Sequence, residues 1–140
     1  MESFIDGLGF LLVGSLVWAA VAILFGAPMT ELLSRTWLWG LLQSNLTLLL
    51  IAEAYETRTD RLQAIQRILA RDSPKDAAER KVWASFYGSC VGAWTGALPI
   101  PLDWDRPWQA WPITLVYGSV LGWLFGQLLH SVLFRERRQE

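Results

Sequence analysis

The feature that most constrains this chain is where its charged side chains are absent. Asp, Glu, Lys and Arg number 25 among 140 residues, and none falls in 7–30, 36–52, 82–102 or 107–134. Those four stretches hold 90 residues, so every charge sits in the other 50. A soluble domain of this length cannot bury 90 near-continuous apolar positions, because too much of a small domain is surface. A bilayer can, since a helix crosses a hydrocarbon core of roughly 30 Å with about 20 apolar residues. Backbone groups inside that core find no water, so each run must be helical. The expected fold is all-α: one membrane domain over 1–140, with transmembrane helices at about 8–25, 36–55, 82–101 and 113–134. The second run is short, but Glu53 lies within a turn of its end and can reach the headgroups.

Orientation follows from the cations. An even number of spans puts the N-terminus, the loop 56–81 and the C-terminal tail on one side, which carries ten of the twelve Lys and Arg. Arg35 and Arg106 lie on the other. Both termini and the long loop are therefore expected in the cytosol. A net charge of −1 without a long basic block gives no electrostatic case for nucleic acid. Cys90 is the single cysteine, so disulfide frameworks and cysteine-based metal sites are excluded. Glu2 and Asp6 precede the first run where a signal peptide would carry positive charge.

Within the loop, Leu62, Ile65, Ile68 and Leu69 recur at helical spacing among Arg61, Arg67 and Arg71. That pattern suits an amphipathic helix on the membrane surface with its cations toward anionic lipid; the plainer reading is a solvated connector. Asp72-Ser73-Pro74 ends it, and Ser73 as N-cap, Pro74 and Asp76 form a helix-start signature. The helix of the third span is thus expected to begin at Pro74. That span carries Gly88, Gly92 and Gly96, widened by Ser85, Ser89, Ala93 and Ala97, and the fourth repeats the device with Gly118, Gly122 and Gly126. Small residues every four positions let helix backbones approach closely in lipid. The two faces can pack on each other, the preferred reading, or one can meet a partner. Gln43, Ser44, Asn45 and Thr47 stand near the middle of the second span, as interhelical hydrogen-bonding groups or, less favoured, as the lining of a substrate path. The sequon Asn45-Leu46-Thr47 lies at mid-membrane and should stay unmodified.

Chemistry-bearing constellations are thin. Glu53 and His130 lie near cytosolic helix ends without a catalytic companion, His130 reading as an interfacial side chain. Neither a metal set nor a cofactor loop is recognisable. The segment between the third and fourth spans is more distinctive, with Pro99, Pro101, Pro107 and Pro112 stiffening a run that holds Trp104, Trp108 and Trp111. Trp37 and Trp39 are expected at the same headgroup depth. Asp103, Asp105 and Arg106 can pair locally, and Asp105 can cap a helix beginning at Pro107; two aspartates are too few for a metal.

The block Gly92-Ala93-Trp94-Thr95-Gly96-Ala97-Leu98-Pro99-Ile100-Pro101-Leu102-Asp103-Trp104-Asp105-Arg106-Pro107-Trp108-Gln109-Ala110-Trp111-Pro112-Ile113 closely resembles the signature of the PIG-F family, the phosphatidylinositol-glycan class F proteins of GPI-anchor biosynthesis. Leu24-Phe25-Gly26-Ala27-Pro28 and the helix around Gln43-Ser44-Asn45 resemble it too, so the likeness runs from about residue 20 to 126. The resemblance implies a multi-pass protein of the endoplasmic reticulum membrane. It implies a non-catalytic subunit, without cofactor, that stabilises the catalytic subunits of GPI ethanolamine phosphate transferases 2 and 3. The alternative is a lipid-handling subunit that presents substrate, with Asp103, Asp105 and Arg106 at the donor headgroup. Family members are usually longer, with about six spans, so the first two are expected to be missing here.

Overall fold

A computed structural model describes residues 2–28, 30, 32–102 and 105–135, with side chains described between residues 5 and 132. These residues form five α-helices and one 3-10 turn: α1 (Glu2–Leu24), α2 (Leu33–Ala54), α3 (Arg58–Ala70), α4 (Ala77–Ala97), the turn Pro107–Gln109, and α5 (Ile113–Arg135). No strand occurs among the described residues. Segments Ile5–Leu24 and Ile113–Val132 are long and apolar enough to cross a membrane by length and composition. The other two long helices, α2 and α4, carry more hydroxyl and amide side chains.

The bundle is two helix pairs joined through α2. The most extensive interface is between α4 and α5, the next between α1 and α2, and α2 also touches α4, α5 and α3. Local chemistry explains the breaks between elements. Gly26 adopts φ +100, and the Ala27 amide bonds back to the Ala22 carbonyl at 3.0 Å, a left-handed closure that terminates α1. At the start of α3 the Thr57 hydroxyl accepts the Asp60 amide (3.2 Å) and donates to the Asp60 carboxylate (2.6 Å). The helix closes on Arg71 at φ 58, with the Asp72 amide reaching the Arg67 carbonyl at 3.0 Å.

Helix α4 does not begin at Pro74. Asp76 is its N-cap, accepting the Glu79 amide at 2.7 Å, while the Glu79 carboxylate accepts the Lys75 amide. This Asp-x-x-Glu exchange satisfies amides on both sides of the cap and displaces the Ser73-Pro74 start. The Ser73 carbonyl is meanwhile taken by Arg67 at 3.2 Å.

Helix α3 also differs from expectation. It is helical, but two of its cations, Arg61 and Arg67, turn onto protein partners. Arg61 is 2% exposed and donates to the carbonyls of Tyr55 (2.8 Å) and Ala52 (3.2 Å), with its guanidinium 5.6 Å from the Phe10 ring centre. Arg67 pairs with the buried Glu79 carboxylate. Ile68 is buried, whereas Leu62 and Leu69 are exposed. The reason lies in α2, whose last turn leaves carbonyls with no intrahelical donor. A five-donor guanidinium six residues beyond Tyr55 satisfies two of those groups at once.

Polarity is distributed inside out. Ser15, Thr36, Gln43, Ser44, Thr47, Ser85, Ser89 and Ser119 are fully buried, while Leu16, Leu24, Leu121, Phe125 and Leu128 are more than half exposed.

Candidate functional site

Helices α4 and α5 meet backbone to backbone. A Cβ placed on Gly88 would overlap the Gly122 carbonyl, on Gly92 the Gly118 carbonyl, and on Gly96 the Thr114 carbonyl. In return, Gly118, Gly122 and Gly126 face the carbonyls of Gly92, Gly88 and Ala84. Their residue numbers run in opposite directions, so the pair is antiparallel, in one continuous register. All six glycines thus meet the other helix of the pair. A methyl group at any of them would push against rigid backbone.

Side-chain hydrogen bonds join the helices as well, both within the pairs and between them. Four indole N–H groups donate to hydroxyls on another element: Trp18 to Thr47 (3.1 Å), Trp39 to Ser119 (3.3 Å), Trp111 to Thr36 (2.9 Å) and Trp123 to Ser85. The Ser44 hydroxyl donates to the Leu11 carbonyl (2.7 Å) and that of Ser85 to the Leu46 carbonyl (3.0 Å). Gln43 reaches Ser89 at 3.5 Å. Gln43 and Thr47 therefore act between helices. Asn45 does not: its amide bonds the Leu41 carbonyl of its own helix at 2.8 Å and is exposed. Two residues of helix advance the direction by about 200°, which carries Asn45 to the face opposite Gln43.

Aromatic rings run through the same interior. Trp111, Trp39, Trp18 and Phe86 follow one another with centroids 6.5, 6.4 and 6.3 Å apart, and Phe86 leads on to Tyr87 at 5.6 Å. Such spacings suit tilted and edge-on aromatic contact. Trp39 is consequently not at headgroup depth beside Trp37. It is 4% exposed against 40%, because its N–H needs a partner and finds Ser119 inside.

The loop after α4 is drawn in by Gln109. Its amide nitrogen donates to the carbonyls of Pro99 and Leu102, both at 2.7 Å, and its oxygen accepts the Arg106 amide at 2.9 Å. Arg106 stands at the N-cap of the 3-10 turn, not Asp105, which sits at φ 46. Left-handed backbone at Asp105 sets it one residue too early to serve the turn. Asp105 and Arg106 form no ion pair with each other; Asp103 and Trp104 lie outside the described residues. Pro101, Asp105, Arg106, Pro107 and Trp108 are exposed, whereas Pro99, Trp111 and Pro112 are half-buried. Trp111 anchors this end of the loop to α2 through Thr36, and the Trp111–Pro112 bond is cis. Among the described residues no group of three His, Cys, Asp or Glu converges on one point.

Several of these contributors are not distinguished by sequence pattern. Ser85 and Ser89 were legible as small residues but not as donors, and Trp18 and Ser119 carried no marker at all. Gln109 has no distinguishing mark between Trp108 and Ala110.

With the geometry in place, comparison with known proteins is direct. Residues 1–131 match the GPI biosynthesis protein family Pig-F. The chain is 34% identical over 120 residues to the human "GPI ethanolamine phosphate transferase, stabilizing subunit", covering 85% of this chain and 53% of that protein. It is 37% identical over 132 residues to the Schizosaccharomyces pombe "PIGF/3-ketodihydrosphingosine reductase fusion protein", covering 94% and 26%. Against "Glycosylphosphatidylinositol anchor biosynthesis protein 11" of Pyricularia oryzae the identity is 37% over 118 residues, covering 84% and 42%. The chain thus spans about half or less of the length of these relatives. No solved structure matches it. On the match over 1–131, and with its glycine faces and tryptophan-proline loop folded together as described, the chain belongs to the Pig-F family of GPI biosynthesis proteins.

Proposed function

We propose that the chain is a non-catalytic subunit that stabilises GPI ethanolamine phosphate transferases 2 and 3 in the endoplasmic reticulum membrane. In this reading α1, α2, α4 and α5 each span the bilayer, with both termini and α3 cytosolic and the loop 98–112 lumenal. The inverted polarity carries it: hydroxyls and amides of α2 and α4 are buried and hydrogen-bonded, and large apolar side chains face outward. Helices of modest hydropathy are tolerated in lipid when their polar groups point inward and are satisfied there. The ten-to-two split of cations supports the orientation. The printed name of the human relative supports the stabilising role.

Mechanically, the glycine faces of Gly88, Gly92, Gly96, Gly118, Gly122 and Gly126 keep α4 and α5 in fixed register. The lumenal loop, tied by Gln109 and Trp111, then presents Pro101, Arg106, Pro107 and Trp108 to a partner's membrane domain. A rigid exposed Trp beside an Arg is the composition that dominates protein interfaces, and fixing it in advance lowers the ordering cost of binding. The direct test is co-purification of the tagged full chain with both large transferase subunits in mild detergent. Recovery of either is expected, with loss in Trp108→Ala. Recovery of neither from wild type would sink the proposal. The exposed Asp105 and Arg106 favour one other reading, contact with the donor lipid headgroup. Loss of transfer in Arg106→Ala with the complex intact would select it.

A further inference from the structure

The chain crosses from one helix pair to the other once, through residues 55–76, and α3 occupies most of that link. As flexible chain, those 22 residues would span roughly 23–28 Å and leave the pairs free to part. Docked, α3 is tied to both. Toward α1 and α2, Arg61 donates to the Ala52 and Tyr55 carbonyls and lies over the Phe10 ring. Toward α4, Arg67 pairs with Glu79, and the Tyr87 hydroxyl donates to the Ile68 carbonyl. Ala64 and Ile68 join one apolar cluster with Leu48 and Ile51 of α2 and Val82 and Phe86 of α4. The middle of the seam between the pairs is bonded more loosely. Trp39 reaches Ser119 at 3.3 Å and Gln43 reaches Ser89 at 3.5 Å, against about 2.9 Å for ordinary N–H bonds to oxygen. The Gln43 Oε1 is buried and has no hydrogen-bond partner among the described residues. Shorter bonds flank this middle: Ser85 to the Leu46 carbonyl at 3.0 Å, and Trp111 to Thr36 at 2.9 Å beside the loop 98–112. Helix α3 stands at the end opposite that loop.

We infer that α3 is a releasable clasp. It locks the two pairs together at the end remote from the loop 98–112, with Arg61 as the catch on one pair and Arg67 as the catch on the other. Apart from these catches its hold is slight, since Ala64 and Ile68 are its buried apolar residues while Leu62 and Leu69 are exposed. Segments with few buried apolar contacts open before the whole molecule unfolds. The catches act in series. Freeing Arg61 detaches α3 from the first pair and freeing Arg67 loosens it from the second, so either leaves the pairs joined by slack chain. Release then reaches the far end, because each pair is held by backbone contact and the Trp111–Thr36 bond spans the same seam. Rigid elements with two arrangements are the physical carriers of such coupling. The position of the loop 98–112 is thereby linked to a helix about 32 Å away, the length of the 21 residues of α4.

Cys90 is a natural reporter of the seam. It is the single cysteine, half-buried on α4, and its Sγ lies 3.9 Å from the Gln43 Nε2 of α2. The full chain in mild detergent is labelled with N-ethylmaleimide, while chymotrypsin cleavage after the exposed Trp108 is followed in parallel. Arg61→Met and Arg67→Met should each raise the labelling rate about tenfold, with faster loop cleavage. The double variant should add less than about twofold to either, because one open catch already frees the link; independent contacts would instead multiply. Arg58→Met, exposed on the same helix, should leave both rates unchanged. Helix content by circular dichroism identifies variants that misfold. The unaltered chain provides a second reading: as SDS is raised in mixed micelles, amide exchange in α3 and labelling of Cys90 should set in together. Three results would each overturn the clasp. One is faster α3 exchange in the folded variants with Cys90 labelling and loop cleavage as in wild type. The others are a double variant equal to the product of the singles, and Cys90 staying protected in the unaltered chain after α3 has opened.

Discussion

Replacing Gly92 with alanine is the sharpest probe of how this bundle is held. The new methyl would overlap the Gly118 carbonyl oxygen and stand 2.8 Å from the Gly122 Cα and 2.9 Å from the Gly118 carbonyl carbon. All three are backbone atoms, which cannot rotate away. Carbon atoms rest at about 3.5–4.0 Å, so α4 and α5 must part by roughly 0.7 Å or more. A gap of that size forfeits a quarter to a half of each dispersion contact along the shared face. Overpacking of this kind costs about 1–3 kcal/mol. Alanine returns roughly 0.8–1.0 kcal/mol as the better helix former, leaving a net loss of about 0–2 kcal/mol. Gly9→Ala is the matched control, since a Cβ there meets nothing within 4 Å. It should gain up to about 1 kcal/mol from propensity alone. The assay is reversible unfolding of the full chain in mixed micelles of dodecylmaltoside and SDS, followed by circular dichroism. The shared propensity gain cancels, so Gly92→Ala should be less stable than Gly9→Ala by the overpacking cost, about 1–3 kcal/mol. Equal stability within about 0.5 kcal/mol would refute the backbone-contact account of the glycine faces.

Other variants address the remaining contacts. Arg61→Ala should cost about 1–3 kcal/mol, by stranding the Ala52 and Tyr55 carbonyls, and should speed amide hydrogen exchange in α3 and the last turn of α2. A double-mutant cycle of Thr36→Val and Trp111→Phe should give a coupling of about 0.6–1.7 kcal/mol, measured in the same unfolding assay. Gln109→Leu removes three hydrogen bonds within the loop. It should raise proteolysis between 98 and 112 several-fold while changing bundle stability by less than about 0.5 kcal/mol.

Element positions were largely legible in the sequence because the charge-free runs coincide with the long helices. Helices α1, α2, α4 and α5 begin and end near the uncharged stretches. Gly88, Gly92 and Gly96 were legible for a related reason: a repeat of four small residues leaves few alternatives to close helix contact. Partner choice was harder to read. Arg61 looks like any cation on an amphipathic face, and its burial depends on carbonyls at the end of a different helix. Trp39 and Trp37 are chemically identical and two positions apart, yet only a partner such as Ser119, 80 residues away, decides which turns inward. The polar stripe of α2 did contain usable information. Thr36, Gly40, Gln43 and Thr47 recur at steps of four, three and four, the period of one helix face, and Asn45 is out of phase with them. Treating the four central polar residues as one patch lost that distinction.

Two kinds of contact divide the work of cohesion. Within each pair the helices touch by backbone, reinforced by the Trp18, Ser44 and Trp123 hydrogen bonds: the glycines of α4 and α5, and in α1–α2 the Gly40 position, where a Cβ would overlap the Ser15 carbonyl region and lie 3.2 Å from the Ala19 amide nitrogen. Between the pairs the cohesion is largely side-chain hydrogen bonds and rings, centred on α2: Trp39 to Ser119, Trp111 to Thr36, Gln43 to Ser89 and Ser85 to the Leu46 carbonyl. Backbone contact in lipid is insensitive to modest polarity changes, whereas an interhelical hydrogen bond contributes about 0.6–2 kcal/mol and has a specific geometry. The pairs should therefore separate before either comes apart. Trp111 lies on that seam and also ends the loop 98–112, so the position of the loop follows the seam. A partner that grips the exposed Trp108 and Arg106 would then be favoured by a closed seam, and by linkage would itself hold the seam closed. Stabilisation in such a complex runs in both directions.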